Sequence, residues 1–321
     1  MTSAAAGRPP AIELVGIDKR FGEVHANKAV DLTVAAGTIH GIVGENGAGK
    51  STLMSILYGF YEADAGEVRV AGRLVRIRAP REAIAAGIGM VHQHFMLVEP
   101  LTVLDNVMLG AEGGPLLAGG ARRIREELAR LGADYGLAID PDAVVGDLPV
   151  GLQQRVEILK ALVRGAEVLV LDEPTAVLTP DEADALFRLL RILAGEGKTI
   201  ILITHKLREI MEATDNVSVM RRGTMVATVK TAETSPEQLA ELMVGRKVLL
   251  EVAKGPAKPG AVVLKVENLR VRDEHKVERL KVCPSKSVPA KYLASPGLRA
   301  TASPNFWKHW AASPTRRAAS P

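Results

Sequence analysis

Gly44-Glu45-Asn46-Gly47-Ala48-Gly49-Lys50-Ser51 decides how this chain is read. It matches G-x-x-x-x-G-K-[ST], in which glycines let successive backbone N–H groups curl around phosphate oxygens. Thr38 to Val43, just before it, reads as a buried strand, and a helix is expected from about Lys50 to Tyr58. The start of such a helix turns its positive end toward the same anion. Lys50 then sets a point charge against the β and γ phosphates, and Ser51 offers a hydroxyl to Mg2+. Thr52, next in the helix, is counted with the nucleotide-binding residues, as are Gly44 to Gly49. The bland alternative is a tight glycine turn, but a strand before and a helix after favour the phosphate site.

A second chemical signal lies downstream. Val168 to Leu171 is a wholly apolar run of the buried parallel-strand type, and it ends in Asp172-Glu173. Asp172 at the strand's C-terminal end can hold Mg2+ through a water. Glu173 is then placed to orient or deprotonate an attacking water. Alone, two acids after a strand read equally as a solvated turn; the phosphate loop upstream gives them a task.

Around these two signals, strands and helices alternate. Strands are expected at Ile12 to Ile17, Ala29 to Val34, Ile88 to Val91, Thr199 to Ile203, Val217 to Met220 and Met225 to Val229. Val68 to Val70 and Leu74 to Ile77 read as paired edge strands. The stretch from about Leu101 to Arg164 has helical periodicity, clearest over Arg122 to Leu131. Thr179 and Ser235 each precede a proline and an acidic first turn, so they read as N-caps of helices ending near Leu193 and Gly245. A shorter helix is expected from Lys206 to Glu212. This alternation implies an α/β sheet of mostly parallel strands.

Composition narrows the rest. The 321 residues are 47% hydrophobic and 24% charged, which excludes a wholly disordered chain. No uncharged run reaches the roughly 18 apolar residues of a membrane helix. The N-terminus, with Gly7, Arg8, Pro9 and Pro10, has no apolar signal core and reads as not secreted. A single cysteine, Cys283, excludes an internal disulfide and a cysteine-rich zinc site. The net charge is +4, but His275 to Pro321 holds nine Lys or Arg against Glu278 alone. That stretch therefore carries +8 and the remainder −4, so the basic excess does not mark a nucleic-acid surface on the body of the chain.

Leu148-Pro149-Val150-Gly151-Leu152-Gln153-Gln154-Arg155 resembles the signature of ABC-transporter ATP-binding subunits, LSGGQ followed by Q-R. Leu148, Gly151, Gln153, Gln154 and Arg155 fit; Pro149 replaces a serine, Val150 a glycine and Leu152 a glutamine. Val150 to Leu162 and Asp172 to Pro180 look like the branch that imports simple sugars and nucleosides, which normally fuses two ATPase domains in one chain. The resemblance spans about Ile12 to Gly245. It implies a P-loop NTPase α/β core with an antiparallel β subdomain and an inserted helical subdomain at about residues 101–164. It implies ATP and Mg2+ as cofactors, two transmembrane permease subunits and an extracytoplasmic substrate-binding protein as partners, and a place at the cytoplasmic face of the membrane.

The resemblance also assigns residues. Phe21 matches the aromatic that stacks on adenine, with an ordinary core phenylalanine as the alternative. Gln93 matches the glutamine that senses Mg2+ and γ-phosphate and links to the permease, or is a plain loop residue. His205 matches the switch histidine on the γ-phosphate. Gly151 would serve the nucleotide of a facing second ATPase domain or second copy. Thr179 stands where the family has an aspartate. His92 and His94 flank Gln93 without a metal-ligand pattern and read as loop residues.

The expected organisation is a disordered N-terminus (1–10), an ATPase domain (11–248), a linker (249–260), the start of a second ATPase domain (261–281) and a basic tail (282–321). Val262 to Val271 resembles Ile12 to Ile17. Read one frame over from about Lys281, with first codon bases left free, the tail can be written as a string that aligns without a gap to Ala29 to Leu57, with glutamine where Lys50 stands. A frame change, or else a true basic extension that does not fold alone, accounts for it. Two other functional classes stay open: a nucleotide-binding remnant without transport, and a soluble ABC-type ATPase. The acidic body and the lack of a basic interdomain helix speak against the second.

Overall fold

Three runs of five residues with every side chain buried form the centre of the main sheet: β3 (Ile39–Val43), β7 (Val168–Asp172) and β8 (Thr199–Ile203). Runs apolar on both faces suit a parallel sheet covered on both sides. In the computed structural model, residues 8–93, 95–110 and 117–246 are described, with strand segments at 264–266, 271–272, 278–280 and 285–287. The chain divides into two units, Met1–Leu250 and Glu251–Pro321.

The first unit holds two sheets. With β6 (Ile88–Val91), β9 (Asn216–Arg221) and β10 (Thr224–Lys230), the six-stranded sheet runs β10-β9-β3-β8-β7-β6. Its strands are parallel except for β10, which returns antiparallel to β9. A four-stranded antiparallel sheet is built from β1 (Ile12–Phe21), β2 (Val24–Val34), β4 (Ala65–Val70) and β5 (Arg73–Val75), in the order β2-β1-β4-β5. The strand pair expected at the edge is therefore half right. β5 is an edge, but β4 pairs on its other side with β1, because Ile12, Leu14 and Val68 share one core face.

Helix α1 (Lys50–Leu57) leaves β3 through the glycine loop and buries Leu53, Met54, Ile56 and Leu57. These pack in one cluster with Ile12, Leu14 and Ile17 of β1 and with Ile42, Ile201 and Ile203 of the main sheet. Each fully buried aliphatic side chain contributes roughly 1.5–3 kcal/mol, so α1 and its loop are held firmly between the sheets. A short helix that periodicity did not announce, α2 (Pro80–Ala85), starts on Pro80 and buries only Ala83. The helical part comprises α3 (Val103–Met108), α4 (Leu117–Tyr135) and α5 (Val150–Val163). Ile124, Leu128 and Leu131 on α4 meet Val156, Leu159 and the β7 residues Leu169 and Leu171 in a second cluster. α6 (Pro180–Gly195) buries Leu186, Leu190 and Leu193 in that same cluster, while α7 (Leu207–Ala213) and α8 (Pro236–Val244) pack Ile210, Leu239 and Met243 with Val217 and Val219 of β9 in a third. Both expected caps occur: Thr179 and Glu182 form a reciprocal capping box, and Ser235 accepts from the Gln238 N–H.

The second unit shows β11 (Leu264–Val266) paired antiparallel with β14 (Ser285–Ser287), and β12 (Val271–Arg272) with β13 (Glu278–Leu280). The linker expected at 249–260, residues 1–7 of the expected N-terminus and the tail beyond 287 lie outside the described residues. Among the described residues no helix is long and apolar enough to cross a membrane.

Candidate nucleotide site

The parallel pairing brings the C-terminal ends of β3, β8, β7 and β6 side by side. Ile42 is level with Ile203, Asp172 with Ile203, and Leu171 with Val91. Such an edge of an open parallel sheet is where ligands bind. The residues that follow these strand ends are the glycine loop after β3, His205 after β8, Glu173 after β7 and Gln93 after β6.

At the loop's end, Gly49 takes φ 101° as the N-cap of α1, without a side-chain cap. A Cβ there would lie 2.4 Å from the Ala26 carbonyl, so only glycine serves. Gly49 therefore offers no side-chain acceptor to the first N–H groups of α1, which leaves them to an anion. Lys50 is buried, and its Nζ donates back to the carbonyls of Gly44 (2.8 Å) and Glu45 (3.0 Å). Burial pushes its ammonium below the ordinary lysine value, opposed by the charges of Glu173 and Asp172. A desolvated cation bridging its own loop is poised to exchange two carbonyls for phosphate oxygens.

Asp172 is buried, which raises its carboxyl pKa; the Ser51 hydroxyl donating to it pulls the other way. Ser51 and Asp172 thus lie together at the place where Mg2+ is expected. Mg2+ takes oxygen ligands, typically one or two carboxylates plus substrate phosphates and waters. A hydroxyl and a buried carboxylate beside a phosphate loop fit that donor set. Among the described residues there is no group of three or more His, Cys, Asp or Glu to hold a different, fully protein-ligated metal.

Glu173 adopts φ +47°, a left-handed conformation uncommon outside glycine. Its N–H donates to the Ile203 carbonyl at 2.9 Å, which fixes the turn. Its Oε1 lies 2.9 Å from Nδ1 of His205, so two of the three residues expected to be catalytic, Glu173, His205 and Gln93, already touch. The residues on either side of His205 are held by a network that no motif announces. Buried Glu209 on α7 accepts from the hydroxyls of Thr175 and Thr204 and lies 3.1 Å from Lys206 Nζ. Lys206 also donates to the Thr175 carbonyl. The segments after β7 and β8 are thereby sewn together; the acid four residues after His205 was the available signal.

The remaining assigned residues sit apart. Gln93 is exposed just beyond β6, and its side chain has no protein partner among the described residues. His92 beside it packs against Tyr58 and Phe60, with ring centroids at 5.8 and 5.3 Å, so it is half-buried rather than a free loop residue. Phe21 closes β1 and is 41% exposed, not a core side chain. Gly151 lies in the first turn of α5, packed against Glu182 of α6 and not against the phosphate loop. Gln154 on the same helix donates to the Pro174 carbonyl at 2.9 Å, tying α5 to the loop that follows Glu173.

Residues 27–176 match the family model described as ABC transporter. The chain is 48% identical over 262 residues to the nucleoside import ATP-binding protein NupA of Lactococcus lactis subsp. cremoris, covering 82% of this chain and 52% of that protein. It is 48% identical over 301 residues to the glucose import ATP-binding protein TsgD13 of Haloferax volcanii, covering 85% and 55%. It is 44% identical over 262 residues to the ribose import ATP-binding protein RbsA of Chromobacterium violaceum, covering 80% and 52%. The chain thus spans about half the length of the curated relatives it matches. Among solved structures it resembles MJ1267, an ATP-binding cassette of an ABC transporter in its ADP conformation. There the TM-score is 0.63 at 26% identity, over 73% of this chain and 95% of that one. A nucleotide-free ATP-binding cassette from an ABC transporter matches with a TM-score of 0.64 at 26% identity, over 77% and 100%.

Proposed function

The chain belongs to the ABC-transporter family of ATP-binding proteins, and from that premise we propose that it binds and hydrolyses MgATP to power import of simple sugars or nucleosides. The observation that carries the chemistry is the convergence of Lys50, Ser51, Asp172, Glu173 and His205 on one edge of the parallel sheet. The solute class rests on relatives named for nucleoside, glucose and ribose import.

The loop N–H groups and Lys50 receive the phosphates, with Lys50 giving up its contacts to Gly44 and Glu45. Ser51 and Asp172 would hold Mg2+, which would supply positive charge to offset that developing on the transferring phosphates. Glu173, turned away from His205, accepts a proton from the attacking water; such transfer contributes roughly 10²- to 10⁴-fold. His205 then faces the γ-phosphate. Gln93, exposed at the neighbouring strand end, reports occupancy toward the permease, and Phe21 stacks on the base. Two transmembrane permease subunits and an extracytoplasmic binding protein complete the importer, with the ATPase at the cytoplasmic face. A second ATPase domain, or a second copy, supplies the signature facing Lys50.

The test is reconstitution. The chain, joined to a second ATPase domain and a permease pair from a sugar or nucleoside importer, should release phosphate in response to loaded binding protein. Failure to associate with any such permease while retaining MgATP binding would reject the transport reading and keep the nucleotide reading.

A further inference from the structure

A ring at the tip of a hairpin has little to hold it in one orientation, yet Phe21 is held. Tyr61 meets it edge-on, with centroids 5.0 Å apart and planes at 72°. Lys19 Nζ lies over the same ring at 5.5 Å and is 2.7 Å from Asp64. Asp64 also accepts from the Arg20 N–H at 2.7 Å, and its own N–H donates to the Asp18 carbonyl at 2.9 Å. The end of β1 is thus clasped by a segment only four residues long.

That segment is anchored on the phosphate side. The N–H groups of Phe60 and Tyr61 both donate to the Ser55 carbonyl, at 2.8 and 3.3 Å, and Ser55 lies in α1, the helix that opens with Lys50 and Ser51. A continuous set of contacts therefore links the ring of Phe21 to the helix that carries the phosphate-binding lysine. A nucleotide bridges the same two points, base at one end and phosphates at the other. We infer that Tyr61 is a positioning residue for the nucleotide base: its ring edge, with the Lys19–Asp64 pair, sets where Phe21 stands relative to the phosphate loop. This rests on reading Phe21 as the base-stacking residue. An aromatic edge contact of this kind has the strength to matter, and a pre-set platform spares the cost of ordering it on binding.

Calorimetric titration of the full chain with MgATP and, separately, with magnesium tripolyphosphate tests this, because the second ligand has no base. Tyr61→Ala should weaken MgATP roughly two- to tenfold and leave tripolyphosphate within about twofold of the parent. Tyr61→Phe, which keeps the ring edge, should bind MgATP as the parent does. Phe21→Ala serves as the reference. If Phe21→Ala weakens MgATP and Tyr61→Ala does not, the positioning role is overturned and the stacking role stands. If Phe21→Ala itself changes nothing, the stacking role falls and this inference with it. Equal loss of both ligands in Tyr61→Ala would place its effect on the phosphate site or the fold and would also overturn the proposal.

Discussion

Lys50 is the residue on which the proposed nucleotide binding turns, since it is the buried cation folded over the glycine loop. MgATP at about 100 times Kd should stabilise the parent by roughly 2.7 kcal/mol. Lys50→Ala should lose that shift, read by thermal denaturation; an unchanged shift would defeat the assignment. Glu173→Gln keeps shape and a hydrogen bond but removes the proposed base beside His205. It should bind MgATP and lose turnover in the assembled ATPase, and turnover at the parent rate would exclude Glu173 as the base. His40 offers a different readout. It is buried on β3, bonded to Ser218 at 2.8 Å, and burial lowers its pKa from 6.5 to about 4. The folded chain keeps it neutral while the unfolded chain takes up a proton near pH 6.5. Stability should therefore fall as pH drops from about 6.5 toward 4, by up to about 3 kcal/mol, and level off below. His40→Gln should flatten that slope in denaturant titrations across this pH range; an unaltered slope would assign the dependence elsewhere.

Between α5 and α6 two elements share one side chain. Glu182 closes the capping box of α6 by accepting from the Thr179 N–H at 2.9 Å, and the same carboxylate lies against Gly151. A Cβ at Gly151 would sit 2.5 Å from Glu182 Oε1. The carboxylate end is flexible, but moving it undoes the cap. Thr179→Ala should cost about 1 kcal/mol as the loss of an N-cap. Gly151→Ala should cost a similar amount through the same cap, so the double substitution should cost clearly less than the sum. Additive losses in urea denaturation would show that the two helices are not coupled through Glu182. This small residue is thus required by packing within the domain, quite apart from any nucleotide it faces on a partner.

Across the whole chain, half of the proposed γ-phosphate enclosure has to come from another domain, because Gly151 lies against α6 and not against the phosphate loop. If two copies paired, each would offer the signature that has Pro149 in place of serine. Pro149 is the N-cap of α5, and it makes no side-chain hydrogen bond there. It has neither the hydroxyl nor the N–H that a serine would present to phosphate. The isolated chain should therefore bind MgATP yet release phosphate only slowly, with turnover appearing when a second ATPase domain bearing an intact signature is supplied. Vigorous phosphate release by the purified chain alone would refute this dependence on a second domain.

Local chemistry was legible from residues alone wherever it was contiguous. The loop Gly44 to Ser51 carries its own glycines and cation, and Val168 to Glu173 carries its own strand and carboxylates, so the α/β class and the centre of the proposed site could be read from them. The caps Thr179 and Ser235 were legible for the same reason, because a cap bonds a few residues away. What required the tertiary structure was everything that depends on distant segments meeting. Sheet order put β4 inside its sheet rather than at the edge, since strand pairing is decided by the shared core. The Glu173–His205 contact joins residues 32 apart, and Thr175–Glu209 joins residues 34 apart. His40 finds Ser218 across 178 residues. Tyr61 carries no motif at all, and only folding sets its ring against Phe21. Spacing along a chain reports hydrogen bonds and charges that lie within a turn or two; it is silent on contacts made by packing, because packing is selected by the whole core at once.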